Sequence, residues 1–540
     1  MRKYRSTYLL TALLVAVTML MPSSLRASQP RLVVNLVVSG MRAADLERYE
    51  DNFCDGGFRR LLRDGIRYRN AHYDYMLTST AAGLATLSTG TQPSAHGALG
   101  ERWWSYVDGS IVTLVGDSKS HPVKFSTGSG SYSSHRLTLP TTGDMLLATY
   151  PEARQVSIAV DALSAIVING KAGTPYWAEK NRTHWTTSSA YLHQLPEWIE
   201  SYNEANSNRF YALTRWTPLY AAERYHNSEV AVVEGITGKP TKLLSDINLS
   251  LAKSDIGAMC YTPAGNTMLL EFASSVIAHE KLGADDEPDM LNIVFDTSRY
   301  IAKTYGPESI EYEDMLYRLD SDLAEFLTFL HAQVSHPDDI VVVLTSDHGT
   351  SPSFNPVGGR ERERFNVRQM EVIVNAYLGA HYGSDNYVLG FANKSLYLNH
   401  TLLLKKRLSI EAIREEVAVF MLQLRGVATA LSATALRNTS FADGRSRLMQ
   451  QSFSPTRSGD VVIDLQAGWI IEDSDTRSSS DGGYNYDRSV PLVIYGGGVS
   501  GGEVERATDI TELAPTLCAL LGITDIWASE AKPLKEVINR

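Results

Sequence analysis

The ten residues Ile340–Gly349, Ile-Val-Val-Val-Leu-Thr-Ser-Asp-His-Gly, constrain the fold more than any other stretch of the chain. Three valines among five consecutive apolar residues suit a pleated sheet better than a helix, and such a run reads as a fully buried strand. In an open parallel α/β sheet, functional groups gather at the carboxyl ends of the strands. Asp347 and His348 stand at that end here, and Gly349 frees the backbone to turn. An adjacent carboxylate and imidazole there form a candidate pair of ligands for one metal ion. An ordinary strand-end turn with a polar pair facing water fits this stretch equally well.

The remaining elements point to an α/β protein with a mostly parallel central sheet, helices on both faces and an inserted cap subdomain. Arg31–Val38, Ile66–Tyr73 and Met290–Phe295 read as strands. Asn266–Lys281, Tyr312–Val334 and Thr508–Gly522 read as helices, the last one closing the domain. Thr78, Ser79 and Thr80 precede a small-residue helix from about Ala81 to Ser88. A hydroxyl at a helix N-terminus sits where unpaired N–H groups favour negative charge, although one of the three can simply be the N-cap. Gly173–Gly265 reads as an irregular insertion over the sheet, about 173–265. Tyr387–Asn399, Ile410–Leu424 and Val427–Ala435 suggest a β-α-β cap at about 385–460. Val461–Leu465 and Val490–Tyr495 read as strands returning to the main sheet.

The first residues read as a targeting segment. Arg2, Lys3 and Arg5 precede the apolar run Tyr8–Met21, and small and polar residues follow to Ser28. The run is short for a membrane span, so a signal peptide over residues 1–27 is expected, with the domain occupying 28–540. The expected location is periplasmic or secreted, with no stable membrane anchor after cleavage. Cleavage would move the formal charge from -11 to about -15. Such an acidic protein with no basic stripe argues against nucleic-acid binding. Cys54, Cys260 and Cys518 are too few and too far apart for a disulfide framework, although one bridge remains open.

Ordered motifs then carry a family resemblance. They are Val-Val-Ser-Gly-Met-Arg (37–42), Thr-Ser-Thr-Ala-Ala-Gly (78–83), Ser-Thr-Gly-Thr-Gln-Pro-Ser-Ala-His-Gly (88–97), Tyr-Gly-Pro (305–307), Thr-Ser-Asp-His-Gly (345–349) and Asp-Ile-Thr-Glu-Leu-Ala-Pro-Thr-Leu (509–517). The sequence resembles the alkaline phosphatase superfamily. Its nearest branch looks like the secreted, Thr-nucleophile (PafA-like) alkaline phosphatases, relatives of the nucleotide pyrophosphatase/phosphodiesterases. The resemblance implies two zinc ions held between strand ends, one activating a threonine and the other stabilising the leaving group.

Carried over one residue at a time, the resemblance implies a degenerate site. The nucleophile position falls on Thr80, and Asp347 with His348 match two ligands of one metal. That metal's third carboxylate is replaced by Ser39. The second metal's three ligand positions fall on Arg299, Lys303 and Asp481. Glu101 stands where an asparagine should touch phosphate, and no cation occurs between Val156 and Gly170 to replace the family's phosphate-gripping Lys and Arg. A guanidinium and an ammonium in place of ligands oppose Zn²⁺ directly. The expectation is a pseudoenzyme: a monomer with no zinc or one weakly bound zinc and a binding or structural role toward an unidentified protein or anionic ligand. The rival reading is an active phosphohydrolase using Thr80 and one metal at Asp347/His348. Arg299 and Lys303 are expected to contact carboxylates, with Asp481 the first candidate and Asp296 another.

Overall fold

Every side chain of the strands Leu32–Val38 (β1), Asp289–Phe295 and Ile340–Thr345 is buried, because each strand lies in the middle of a sheet covered on both faces. The computed structural model describes residues 29–540 except 125–130, 180–183, 207–215, 228–261, 353–362, 473–477, 525–528 and 539–540. The proposed signal peptide and Cys260 lie outside the described residues. Cys54 and Cys518 are free thiols.

After β1, the main sheet takes Ile66–His72 (β2), Gln155–Ala159 (β3), Thr174–Ala178 (β4), Trp185–Thr186 (β5), Asp289–Phe295 (β6) and Ile340–Thr345 (β7). The cap then supplies Val388–Ala392 (β8), Ser395–Leu398 (β9), Val427–Ser432 (β10) and Val461–Leu465 (β11). Leu492–Gly496 (β12) and Gly502–Asp509 (β13) return to the main sheet. Its nine strands run in the order β13-β2-β12-β7-β1-β6-β3-β4-β5. Pairing is parallel through β7, β1, β6, β3 and β4. The strand β12 runs antiparallel to both its neighbours, and β5 to β4.

Alternation along β1 feeds two separate cores. Leu32, Val34, Leu36 and Val38 pack with the helices Ala264–Glu280 and Ile310–Gln333. Val33 and Val37 face the opposite side, with Thr80–Thr89 (α1), Ala162–Asn169 (α2) and Leu513–Leu520. Among these apolar strands, the amide of Asn35 donates to Asn292 at 2.7 Å, and that of Asn292 to Ser157 at 2.9 Å, a one-way chain of buried hydrogen bonds across β1, β6 and β3.

Four expectations need correction. Val461–Leu465 belongs to the cap, where it pairs with β9 and β10, because a buried apolar strand does not reveal which sheet it joins. The cap is a four-stranded antiparallel sheet, ordered β8-β9-β11-β10, rather than a β-α-β unit. The start of the supposed insertion, Thr174–Thr186, contributes β4 and β5 to the edge of the main sheet. Proline is tolerated near an edge, so Pro175 does not exclude a strand. The closing helix is also shorter than its apolar pattern suggests. Its first residues, Thr508 and Asp509, end β13, and the helix proper is Leu513–Leu520.

Candidate functional site

In-register pairing puts the ends of β7, β1, β6 and β3 side by side: Val37 lies opposite Thr345, Val38 opposite Phe295, and Ala159 opposite Val294. The residues just beyond these ends therefore meet in one crevice, as expected of an open α/β sheet. They are Asp347 and His348 after β7, Ser39 after β1, Asp296 after β6 and Asp161 after β3. A cavity of about 550 Å³ opens there, lined among others by Thr80, Glu101, Asp161, Arg299, Lys303, His348 and Asp481.

On the β7 side, Asp347 is fully buried and held from two directions. The Ser39 hydroxyl donates to its Oδ2 at 2.8 Å, and the Gly40 N–H donates to its Oδ1 at 3.1 Å. The imidazole of His348 lies between two oxygens. With Nδ1 donating to the Gly349 carbonyl at 2.7 Å, Nε2 is left as the acceptor facing the Thr80 hydroxyl at 3.1 Å. Oδ2 of Asp347 is 3.4 Å from the same Nε2. Thr80 opens α1, and Ser79 is the N-cap, its hydroxyl oxygen accepting from the Ala82 N–H at 3.2 Å. The N-cap and the position where the resemblance implies a nucleophile are thus adjacent residues.

On the β6 side stands an ion cluster. Asp296 begins the helix Asp296–Tyr305 (α3), and Arg299 lies one turn further on. The Arg299 guanidinium donates to Asp161 at 2.7 Å and to Asp296 at 3.0 and 3.2 Å. Its Cζ lies 4.4 Å from the centre of the Tyr300 ring. Asp296 also accepts from the Ser164 hydroxyl at 2.6 Å and the Asp161 N–H at 2.9 Å. Burial pushes the Asp296 carboxyl up to about 6, against the pull of Arg299. Burial also works against the Arg299 charge, but Tyr300, Asp296 and Asp161 hold its pKa well above the ordinary range.

Asp481 has a different partner from the one expected. Its Oδ1 accepts from the Ser479 hydroxyl at 2.6 Å and lies 3.9 Å from the ammonium of Lys394. Lys394 reaches in from the β8–β9 turn and also bonds Asp464 at 3.3 Å. Burial alone would lower its pKa, yet Asp481, Asp464 and Asp487 raise it. Arg299 therefore pairs with Asp161 and Asp296 rather than with Asp481. Lys303 is exposed on the next turn of α3, and the exposed Glu101 lines the same cavity.

Residues 33–487 match the family described as type I phosphodiesterase / nucleotide pyrophosphatase. The chain belongs to this family. It is 30% identical over 521 residues to alkaline phosphatase PafA of Elizabethkingia meningoseptica, covering 95% of each chain. It is 28% identical over 555 residues to a Myroides odoratus protein named calcium-transporting ATPase, covering 99% of this chain and 100% of that one. A crystal structure of wild-type PafA matches with a TM-score of 0.87 at 29% identity, covering 94% of this chain and 99% of the other. The fold is thus that of the PafA-like alkaline phosphatases.

The residues present do not fit the two-zinc centre that the resemblance implies. Among the described residues, no group of three or more His, Cys, Asp and Glu side chains is placed to hold a metal ion. Asp347 and His348 converge, but the third position offers the Ser39 hydroxyl, already spent on Asp347. The second position is occupied by a guanidinium that two carboxylates hold. Sequence reading missed Asp161 and Lys394. Asp161 had a signal, since it follows the apolar β3 run by two residues. Lys394 had none, because only the fold brings the cap turn to Asp481.

Proposed function

We propose that this protein is a catalytically impaired member of its family, exported by a signal peptide, with a binding or structural role in place of two-metal hydrolysis. The observation that carries this reading is Arg299, whose guanidinium is tied to Asp161 and Asp296 at 2.7 and 3.0 Å where the resemblance calls for a zinc ligand. A permanent cation in that place repels Zn²⁺ and supplies no ligand lone pair. Export rests on the charged start and apolar run of the first 27 residues.

Hydrolysis of phosphate esters needs very large transition-state stabilisation, which related two-metal sites draw from charge on the attacking and leaving oxygens. Here the exposed Glu101 lines the cavity, and the Arg299 guanidinium that also lines it is taken up by Asp161 and Asp296, so it is not free to grip an incoming phosphate. Thr80 retains its place at the start of α1, but a threonine hydroxyl is a weak nucleophile unless a base or metal activates it. The test is hydrolysis of phosphate monoesters and diesters by zinc-supplemented protein beside a Thr80→Ala variant. No turnover above background is expected from either protein.

One observation favours the rival reading. The Thr80 hydroxyl lies 3.1 Å from the free Nε2 of His348, with Asp347 alongside. Robust hydrolysis that vanishes with Thr80→Ala would replace the pseudoenzyme by a phosphohydrolase using one metal at Asp347/His348.

A further inference from the structure

The Thr80 hydroxyl and the His348 imidazole stand as a nucleophile beside a base, and protein contacts alone hold them there. Thr80 is half-buried at the cavity wall, and His348 behind it has 3% of its side chain exposed. Nδ1 of His348 donates to the Gly349 carbonyl at 2.7 Å, and the Gly349 N–H donates in turn to the Asp487 carbonyl at 2.7 Å. With its proton on Nδ1, the imidazole turns the lone pair of Nε2 toward Thr80 Oγ1, 3.1 Å away. Ser79 caps α1 through the Ala82 N–H. The N–H groups of Thr80 and Ala81 have no acceptor among the described residues, and Ala81 lines the same cavity. Unpaired N–H groups beside a nucleophile, at the start of a ten-residue helix, suit one developing negative charge.

We propose that Thr80 and His348 carry out a metal-independent acyl transfer that hydrolyses small uncharged carboxylic esters. The proposal goes beyond the reading of impaired two-metal hydrolysis and rests on it only in taking no metal into the step. A phosphate ester brings several negative oxygens to a cavity that Glu101 lines and where Asp161 and Asp296 already hold Arg299. A carboxylic ester brings none, and its tetrahedral intermediate develops a single oxyanion. As Thr80 Oγ1 bonds to the carbonyl carbon, its proton passes to His348 Nε2. The carbonyl oxygen takes up the negative charge, facing the Thr80 and Ala81 N–H groups. Collapse then breaks the bond to the alkoxy oxygen, which leaves as the alcohol with the proton from His348. Water next gives a proton to the same Nε2 and attacks the acyl-threonine; the carboxylic acid departs and Thr80 recovers its proton. The Asp347 carboxylate, 3.4 Å from Nε2, favours the imidazolium formed in each half of the cycle.

The experiment gives 4-nitrophenyl acetate to full-length protein kept in EDTA, follows 4-nitrophenolate release, and maps acetylated peptides in acid-quenched samples by mass spectrometry. Acetyl should appear on Thr80, and turnover should equal that in zinc-supplemented buffer. His348→Gln should slow turnover about 100-fold or more, the range of a lost general base. Thr80→Ala should fall to background, whereas Thr80→Ser should keep the reaction. Acetyl on other residues but not on Thr80, release that survives Thr80→Ala, or turnover that EDTA abolishes would each overturn the proposal. Peptide mapping needs only wild-type protein, so it decides even where a variant fails to accumulate. Phosphate-ester turnover by zinc-loaded protein would sink the proposed function and leave acetyl-Thr80 standing; EDTA-treated protein that does not acetylate Thr80 would do the reverse.

Discussion

At Gly83, an added Cβ would stand 1.8 Å from the carbonyl oxygen of Asp347. The missing side chain lets α1 lie against the end of β7, and this contact carries Thr80, three residues earlier, to within 3.1 Å of His348. Gly83→Ala should therefore push the two elements apart. Overpacking of this kind costs about 1–3 kcal/mol, and a denaturant midpoint unchanged from wild type would refute the close approach. Ser39 belongs to the same local logic. Its hydroxyl donates to Asp347 at 2.8 Å, whereas a carboxylate in its place would meet a like charge unless a metal lay between them. A serine there and a guanidinium at the second position each remove a ligand that a two-zinc centre needs, in line with the proposed impairment.

One turn of the cap reaches the crevice. Asn393 and Lys394 both adopt positive φ, 49° and 54°, between the antiparallel strands β8 and β9. Two such residues suit the twist of a tight hairpin, although the conformation is unfavourable for lysine. The buried ammonium then reaches Asp464 and Asp481, while Asp464 is shared with Arg445. Lys394→Met should destabilise the protein by about 3 kcal/mol, the order expected when one partner leaves a buried ion pair. Hydrogen exchange should quicken first in β8, β9 and β11. Unchanged protection in those strands would show that the tie is dispensable. Such elements also mark the limit of what the sequence reveals. The strands β1, β6 and β7 are legible because burial on both faces makes every position apolar. β11 is equally apolar, yet its sheet is chosen by pairing with β9 and β10, which no local pattern records. The crevice was partly legible too, since the strand-end rule and the ordered motifs point to Asp347, His348, Thr80 and Arg299. Of the partners of Arg299, Asp296 was legible three residues before it, whereas Asp161, like the Lys394 beside Asp481, was not, because both approach through contacts more than 80 residues away in sequence.

At the scale of the molecule, protein contacts tie together the crevice residues at the strand ends of the main sheet. Ser39 and Gly40 fix Asp347, Gly349 orients His348, and Arg299 joins Asp161 to Asp296. Among the described residues, no helix is long and apolar enough to cross a membrane. Linkage then gives a test that needs no substrate. A ligand that binds only the folded state stabilises it by about 2.7 kcal/mol at one hundred times its dissociation constant, so a protein built around tightly held zinc melts lower after chelation. Here the second position already carries a cation, and the first offers two ligands and a hydroxyl. Purified protein should therefore contain substoichiometric zinc, and its melting temperature should not change on treatment with EDTA or on subsequent addition of Zn²⁺. A drop on chelation that zinc reverses, with about one or two equivalents of metal regained, would mean that Asp347 and His348 recruit a metal in spite of Ser39. The protein would then be a metalloprotein whose crevice contacts rearrange on binding.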